Sequence, residues 1–129
     1  MIKKTVNYID FNGNEQTEDL YFHFSEEELV TIQYGEDGRL LSDVLKEIVE
    51  AENAHLIIKY FKQIVLDAYG VRSEDGRRFI KNEQLREEFS QTVAYSDLFM
   101  ELATDDGAAA KFVNGIIPQD TSIRDKFQK

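Results

Sequence analysis

Alternation of apolar and polar residues predicts a β-hairpin over residues 2–24. An apolar run leads to Asn12-Gly13, a pair that tolerates the positive φ angles of a tight turn. In the run that follows, Leu20, Phe22 and Phe24 alternate with more polar residues, which indicates one buried face. Because an isolated hairpin is only marginally stable in water, we expect this face to pack on the helices that follow.

A different period, three to four residues, predicts helices over residues 25–118. Ser25 and Glu28 have the S-x-x-E spacing of a capping box, which predicts a short first helix that ends near Gln33. The glycine-rich turn at residues 35–38 separates it from a second helix, whose apolar stripe extends from residue 41 to residue 49.

Capping residues delimit the later helices. Asn53 as N-cap and Gly70 as the C′ residue predict a third helix over residues 54–69. Residues 70–82 are polar and predict a loop, anchored by an apolar pair at positions 79 and 80. A fourth helix is predicted to begin after Asn82 and a fifth at Gln91 or Thr92. The last helix is predicted to begin at Asp105-Asp106 and to end at Gly115.

Together these patterns predict an α+β fold that is mainly α-helical, with five to six helices and an N-terminal β-hairpin. We expect a single domain over residues 1–118, made of the hairpin (2–24) and the helical part (25–118). Residues 119–129 are polar and are expected to form a flexible tail.

Composition narrows the function classes. The 129 residues include no cysteine, which excludes a disulfide scaffold, thiolate metal sites and a cysteine nucleophile. No apolar stretch approaches the roughly 18 residues of a membrane-spanning helix, and the first residues lack the pattern of a secretory signal. We therefore expect an intracellular, soluble protein that does not bind membranes.

The charge is strongly negative and unevenly distributed. Fifteen Lys and Arg against 25 Asp and Glu give a net charge of −10, which disfavours nucleic acid as a partner. Residues 1–52 hold 13 acids and 4 bases (net −9), whereas residues 53–86 hold 7 bases and 4 acids (net +3). Two interpretations stay open: a solvated acidic surface, or a dipolar molecule whose ends steer copies or partners together.

Catalytic and metal-binding patterns are missing from the sequence. His23 and His55 lie 32 positions apart, which excludes the short histidine spacings of zinc sites. Residues 73–76 are similar to part of a calcium-binding loop, but Asn82 occupies the position of the required glutamate. The runs of adjacent Asp and Glu residues fit positions at helix ends or on helix surfaces. We predict no catalytic, cofactor-binding or metal-binding residues.

Aromatic residues are abundant, with nine Phe and six Tyr. Some apolar residues lie off the helical stripes, which fits either helices that are buried on more than one side or a surface exposed for a partner. The Arg77-Arg78 pair could hold an acidic group of a partner. The candidate partner-binding residues are Tyr60, Tyr69, Arg77, Arg78, Met100, Phe112, Ile116 and Ile117.

Three segments carry a family resemblance: residues 73–81, 89–105 and 108–118, supported by the opening MIKKTVNYIDFNGNEQTEDLYF. The sequence resembles tail assembly chaperones of long, non-contractile-tailed (siphovirus-type) bacteriophages and prophages of Gram-positive bacteria. The resemblance implies a non-catalytic protein that binds the tape measure protein and assists tail tube polymerisation. It also implies residence in the host cytoplasm and absence from the mature virion.

The partners implied are the tape measure protein, with the major tail protein and further copies of this chain as additional candidates. Two alternatives stay open. A tail completion or head-to-tail connector protein would be retained in the virion, and a small acidic inhibitor of a host nucleic-acid enzyme would need acids clustered on one face.

Overall fold

The computed structural model describes residues 1–34, 38–51 and 58–117. Within these ranges an N-terminal hairpin is followed by a mainly helical chain, which confirms the predicted α+β class. In chain order the elements are β1 (Ile2–Ile9), β2 (Glu15–Phe22), α1 (Glu26–Thr31), β3 (Gln33–Tyr34), β4 (Arg39–Leu40), α2 (Leu41–Ala51), α3 (Ile58–Ala68), β5 (Tyr69–Arg72), β6 (Phe79–Ile80), α4 (Glu83–Ser90), α5 (Val93–Thr104) and α6 (Asp106–Ile116).

An antiparallel sheet with the strand order β1-β2-β5-β6 forms one layer. The β1–β2 pairing runs from Ile2 opposite Phe22 to Ile9 opposite Glu15, and Gly13 adopts a φ of 84° in the turn. This confirms the predicted hairpin. A two-stranded sheet, β3–β4, lies between the first two helices.

The core lies between the inner face of this sheet and the helices. Leu20, Phe22 and Phe24 are buried as predicted. The Phe22 ring centroid is 5.1 Å from that of Phe112 and 5.9 Å from that of Phe89, so the hairpin and two helices share one aromatic cluster. Burying a side chain of this size contributes about 1.5–3 kcal/mol.

Several helix caps have the predicted chemistry. The Ser25 hydroxyl accepts from the Glu28 backbone N–H, and the Glu28 carboxylate accepts from the Ser25 N–H. Asn82, Thr92 and Asp105 cap α4, α5 and α6 with their side-chain oxygens. The first helix ends at Thr31, earlier than predicted, because β3 begins at residue 33.

The predicted loop over residues 70–82 is wrong in part, because it contains the hairpin β5–β6. Gly70 is not a C′ residue: it lies in β5 opposite Tyr21 of β2. A Cβ atom at this position would lie 2.7 Å from the Phe79 ring and 2.9 Å from the Ile80 carbonyl oxygen. The glycine is therefore required for close strand packing and not for ending a helix.

The predicted end of the last helix is also wrong, since α6 continues through Gly115 to Ile116. A Cβ on Gly115 would lie 2.8 Å from Ile2 Cδ1, so the glycine permits close contact between α6 and β1. The Ile116 carbonyl accepts a 2.8 Å hydrogen bond from the Phe24 N–H, which holds this end of the helix to the sheet.

Three predictions fall outside the described residues: the N-cap at Asn53, the position of His55, and the flexible tail over residues 119–129. Among the described residues, no helix is long and apolar enough to cross a membrane.

Candidate partner-binding surface

Two of the predicted partner-binding residues are core residues. Phe112 and Ile116 on α6 are buried, with exposed fractions of 1% and 0%. The Phe112 ring packs edge-on against Phe22, and its centroid is 6.3 Å from that of Phe61. These two side chains stabilise the fold and are not accessible to a partner, because helix α6 is sandwiched against the sheet and its neighbours.

Three other predicted residues lie at the boundary of the core. Tyr69 is half-buried and its ring stacks on Phe89, with centroids 4.0 Å apart. Burial raises the pKa of the Tyr69 phenol, so it stays neutral at physiological pH. Tyr60 on α3 and Ile117 after α6 are also half-buried. Each therefore exposes part of its side chain while the rest packs on the core.

Met100 is the most exposed of the predicted apolar residues. It lies on α5 with 55% of its surface exposed, whereas Leu98 and Leu102 on the same helix are buried. A flexible thioether on a helix surface suits contact with an apolar partner of variable shape. The sequence pattern identified this residue correctly as lying off the buried stripe.

Arg77 and Arg78 are exposed on the turn that joins β5 to β6. Asp75 Oδ1 accepts hydrogen bonds from the Ser73 hydroxyl (2.6 Å) and the Arg77 N–H (3.0 Å). These bonds lower the pKa of the Asp75 carboxyl. The residues that are similar to a calcium loop thus bond with one another and hold the two arginines on an ordered turn.

The eight predicted residues therefore do not form one surface. Arg77 and Arg78 lie on the β5–β6 turn, Met100 on α5, and Phe112 and Ile116 inside the core. Among the described residues, no group of three or more His, Asp or Glu side chains is placed to hold a metal ion.

The tip of the β1–β2 hairpin carries apolar residues that the sequence interpretation missed. Phe11 is 83% exposed and Ile9 is 53% exposed. The Asp10 carboxylate orders the tip by accepting from the backbone N–H groups of Asn12 and Asn14, each at 2.9 Å. The position of Phe11 directly before Asn12-Gly13 was the available signal, because it places the ring in the turn and not on a strand face.

A partly buried ion pair joins helix α1 to the residue that follows β6. Lys81 Nζ donates to Glu28 Oε2 (2.8 Å) and to the His23 carbonyl (2.6 Å), and it lies 4.5 Å from the Phe24 ring centroid. Burial lowers the pKa of Lys81, which the contact with Glu28 offsets only in part. No local pattern in the chain indicates this pairing, since 53 positions separate the two charges.

A polar cluster lies between α3 and α4. Asp67 accepts from the Tyr34 hydroxyl at 2.7 Å and from Gln63 Nε2 at 2.9 Å, and Arg86 Nε is 3.8 Å away. Burial and the bond to Asp67 raise the pKa of the Tyr34 phenol. A shallow cleft of about 290 Å³ beside this cluster includes Leu66 and Arg86. The carboxylates that line the cleft, Glu83 and Glu87, are exposed.

Comparison with known proteins gives the family. No curated protein and no solved structure matches the chain significantly. A family model described as phage tail assembly chaperone matches residues 1–128. Since the match covers nearly the whole of the 129 residues, the chain belongs to the phage tail assembly chaperone family.

Proposed function

We propose that the protein is a non-catalytic chaperone that binds the tape measure protein and keeps it from aggregating while the tail tube polymerises around it. The observation that carries the proposal is the family match over residues 1–128. We place its action in the host cytoplasm, on long, non-contractile tails of phages of Gram-positive bacteria, and we expect it to leave before the virion is complete.

The surface supports such a role. A tape measure protein is long and helical, and an amphipathic helix is bound through apolar side chains. Met100 is largely exposed, and Tyr60, Tyr69 and Ile117 are each partly exposed. A net charge of −10 favours the solubility of an assembly in which many copies cover the client.

Within the proposed function we assign client contact to Met100 first. It has the largest exposed fraction among the predicted apolar residues, and it contributes little to the core. Replacing it with serine removes apolar contact area without disturbing buried packing.

Co-expression with the tape measure protein tests the proposal. We expect the client to be soluble and to co-elute with the wild-type chain in size-exclusion chromatography. Met100→Ser should reduce the soluble client, whereas Glu101→Ser, a change at an exposed neighbour on α5, should leave it unchanged. A client that stays insoluble with the wild-type chain would overturn direct binding.

Mass spectrometry of purified virions separates this function from a structural one. A chaperone should be absent from finished particles, while a tail completion or connector protein would be present at a fixed stoichiometry. Stoichiometric recovery from virions would contradict the proposal.

A further inference from the structure

Two asparagines of the chain directly precede a glycine, Asn12 and Asn114. Asparagine is a thermolabile residue, and it reacts most readily before glycine, because glycine has no Cβ to hinder the approach of its backbone nitrogen. The two dipeptides lie in opposite structural settings, which gives each of them a different reactivity.

Asn12-Gly13 belongs to the exposed turn between β1 and β2. Every residue from 11 to 19 is exposed, and Gly13 adopts a φ of 84°. The Gly13 N–H donates to the Asp10 carbonyl oxygen at 3.0 Å, and this hydrogen bond closes the turn. Breaking it frees the Gly13 nitrogen without exposing any buried side chain, so the turn can open locally while the strands stay paired.

The Asp10 carboxylate restrains this turn. Its Oδ1 accepts from the backbone N–H groups of Asn12 and Asn14 at 2.9 Å, and its Oδ2 accepts from Gln16 Nε2 at 2.9 Å. These bonds lower the pKa of the Asp10 carboxyl, so it is ionised at neutral and alkaline pH. Because the bonds hold the backbone on both sides of Gly13, they limit how often its nitrogen is free.

Asn114-Gly115 lies in α6, where each backbone N–H bonds to the carbonyl four residues before it. Gly115 also packs closely against β1, since a Cβ there would lie 2.8 Å from Ile2 Cδ1. The next residue, Ile116, is fully buried, and its carbonyl accepts from the Phe24 N–H at 2.8 Å. Freeing the Gly115 nitrogen therefore requires this end of the helix to separate from the sheet.

We infer that Asn12 deamidates spontaneously in the folded protein, at a rate that the Asp10 hydrogen bonds limit, and that α6 protects Asn114 from the same reaction. The Gly13 nitrogen loses its proton to solvent and attacks Asn12 Cγ, which forms a cyclic imide. The Cγ–Nδ2 bond breaks, and ammonia leaves with a proton from water. A water molecule then adds to one of the two imide carbonyl carbons and opens the ring, which gives aspartate or isoaspartate.

The modification changes the tip of the hairpin. Both products add a negative charge, which changes the net charge from −10 by −1 to −11. Isoaspartate also lengthens the backbone before Gly13 by one methylene, so the hydrogen bond that closes the turn no longer fits. The turn that presents the exposed Phe11 is thereby altered. The inference goes beyond the proposed function and needs no client.

Peptide mapping by mass spectrometry follows both asparagines in one sample of the purified full chain. In mildly alkaline native buffer we expect Asn12 to deamidate at least about tenfold faster than Asn114, because the buried Ile116 opposes opening of the helix. In guanidinium chloride the two rates should converge, since both dipeptides are then unfolded. Equal rates in native buffer would overturn the inference. So would the absence of reaction at Asn12 in the folded chain while the unfolded chain reacts.

Asp10→Ala tests the restraint on the turn. It removes the acceptor for the N–H groups of Asn12 and Asn14, so the rate at Asn12 should rise about threefold or more in native buffer and stay close to the wild-type rate in guanidinium chloride. Glu15→Ala is the matched control, because it removes the same charge from an exposed position on β2. Equal rates for the two variants in native buffer would contradict the role of the Asp10 hydrogen bonds.

Asn12→Gln tests the assignment to this residue. The longer side chain cyclises far more slowly, so the more acidic species that anion-exchange chromatography separates from the ageing wild-type chain should not form. Its appearance at the wild-type rate in Asn12→Gln would assign the reaction to another residue and overturn the inference. Circular dichroism and the thermal midpoint of each variant establish that the fold is retained.

Discussion

At the scale of single residues, Lys81 connects the Glu28 carboxylate with the His23 carbonyl. Replacing it with methionine leaves the partly buried Glu28 carboxylate and the His23 carbonyl without this donor. We expect Lys81→Met to lower the free energy of unfolding by about 2–3 kcal/mol. Urea denaturation measures this loss.

The control is Lys62→Met on the exposed side of α3, which should change stability by no more than about 0.5 kcal/mol. The double variant Lys81→Met/Glu28→Gln should recover part of the loss, because it removes the unpaired charge. Equal effects of the two lysine variants would contradict a partly buried ion pair at this position.

His23 makes stability depend on pH near neutrality. Burial and the nearby positive charge of Lys81 lower the pKa of His23 from its ordinary 6.5, and its buried Nδ1 has no hydrogen-bond partner among the described residues. Below pH 6.5 the unfolded chain therefore binds a proton that the folded chain resists, so stability falls as the pH decreases.

We expect the free energy of unfolding to decrease between pH 7 and pH 5, and His23→Gln to flatten this decrease. The difference between variant and wild type isolates His23, because every other group titrates in both proteins. If the free energy of unfolding of the two proteins depended on pH in the same way, His23 would be equally easy to protonate in the folded and the unfolded state.

At the scale of elements, the sequence was informative wherever structure is local. The β1–β2 turn and the caps at Ser25, Asn82, Thr92 and Asp105 depend on neighbouring residues, and all were predictable. The β5–β6 hairpin was missed because its short strands carry no periodic signal and β5 is positioned by pairing with a strand some 50 positions away. For the same reason, Gly70 was predicted to end the third helix instead of lying in a strand.

Gly70→Ala tests whether this glycine is required for close packing between β5 and β6. The new methyl group would meet the Phe79 ring and the Ile80 carbonyl, and the carbonyl belongs to the β6 backbone that pairs with β5. We expect a loss of about 1–3 kcal/mol in unfolding experiments.

Gly115→Ala is the matched variant, and it should cost less. The methyl group there meets the flexible side chain of Ile2, and alanine favours the helix by about 1 kcal/mol relative to glycine. A larger loss at Gly115 than at Gly70 would mean that the α6–β1 contact, and not the hairpin, is the tighter packing.

At the scale of the whole molecule, periodicity could not distinguish core from surface among the apolar residues predicted to bind a partner. Phe112 and Ile116 are buried because α6 packs on several neighbours, whereas Met100 is exposed because α5 has an open side. Such differences depend on how many elements surround a helix, which is a property of tertiary packing. The uneven distribution of charge, in contrast, was visible in the sequence.

The net charge predicts how stability responds to salt. With a net charge of −10, folding brings like charges closer together, and added salt relieves their repulsion. We expect the urea midpoint to rise between about 10 mM and about 150 mM NaCl, a range in which the Debye length falls from about 30 Å to about 8 Å.

Charge variants test this response. Arg77→Glu/Arg78→Glu changes the net charge from −10 by −4 to −14, so its urea midpoint should rise more steeply with salt. Glu15→Gln/Glu87→Gln, at exposed positions, changes it by +2 to −8 and should give a shallower rise. Identical slopes across the three proteins would mean that specific ion pairs, and not the summed charge, determine how stability responds to salt.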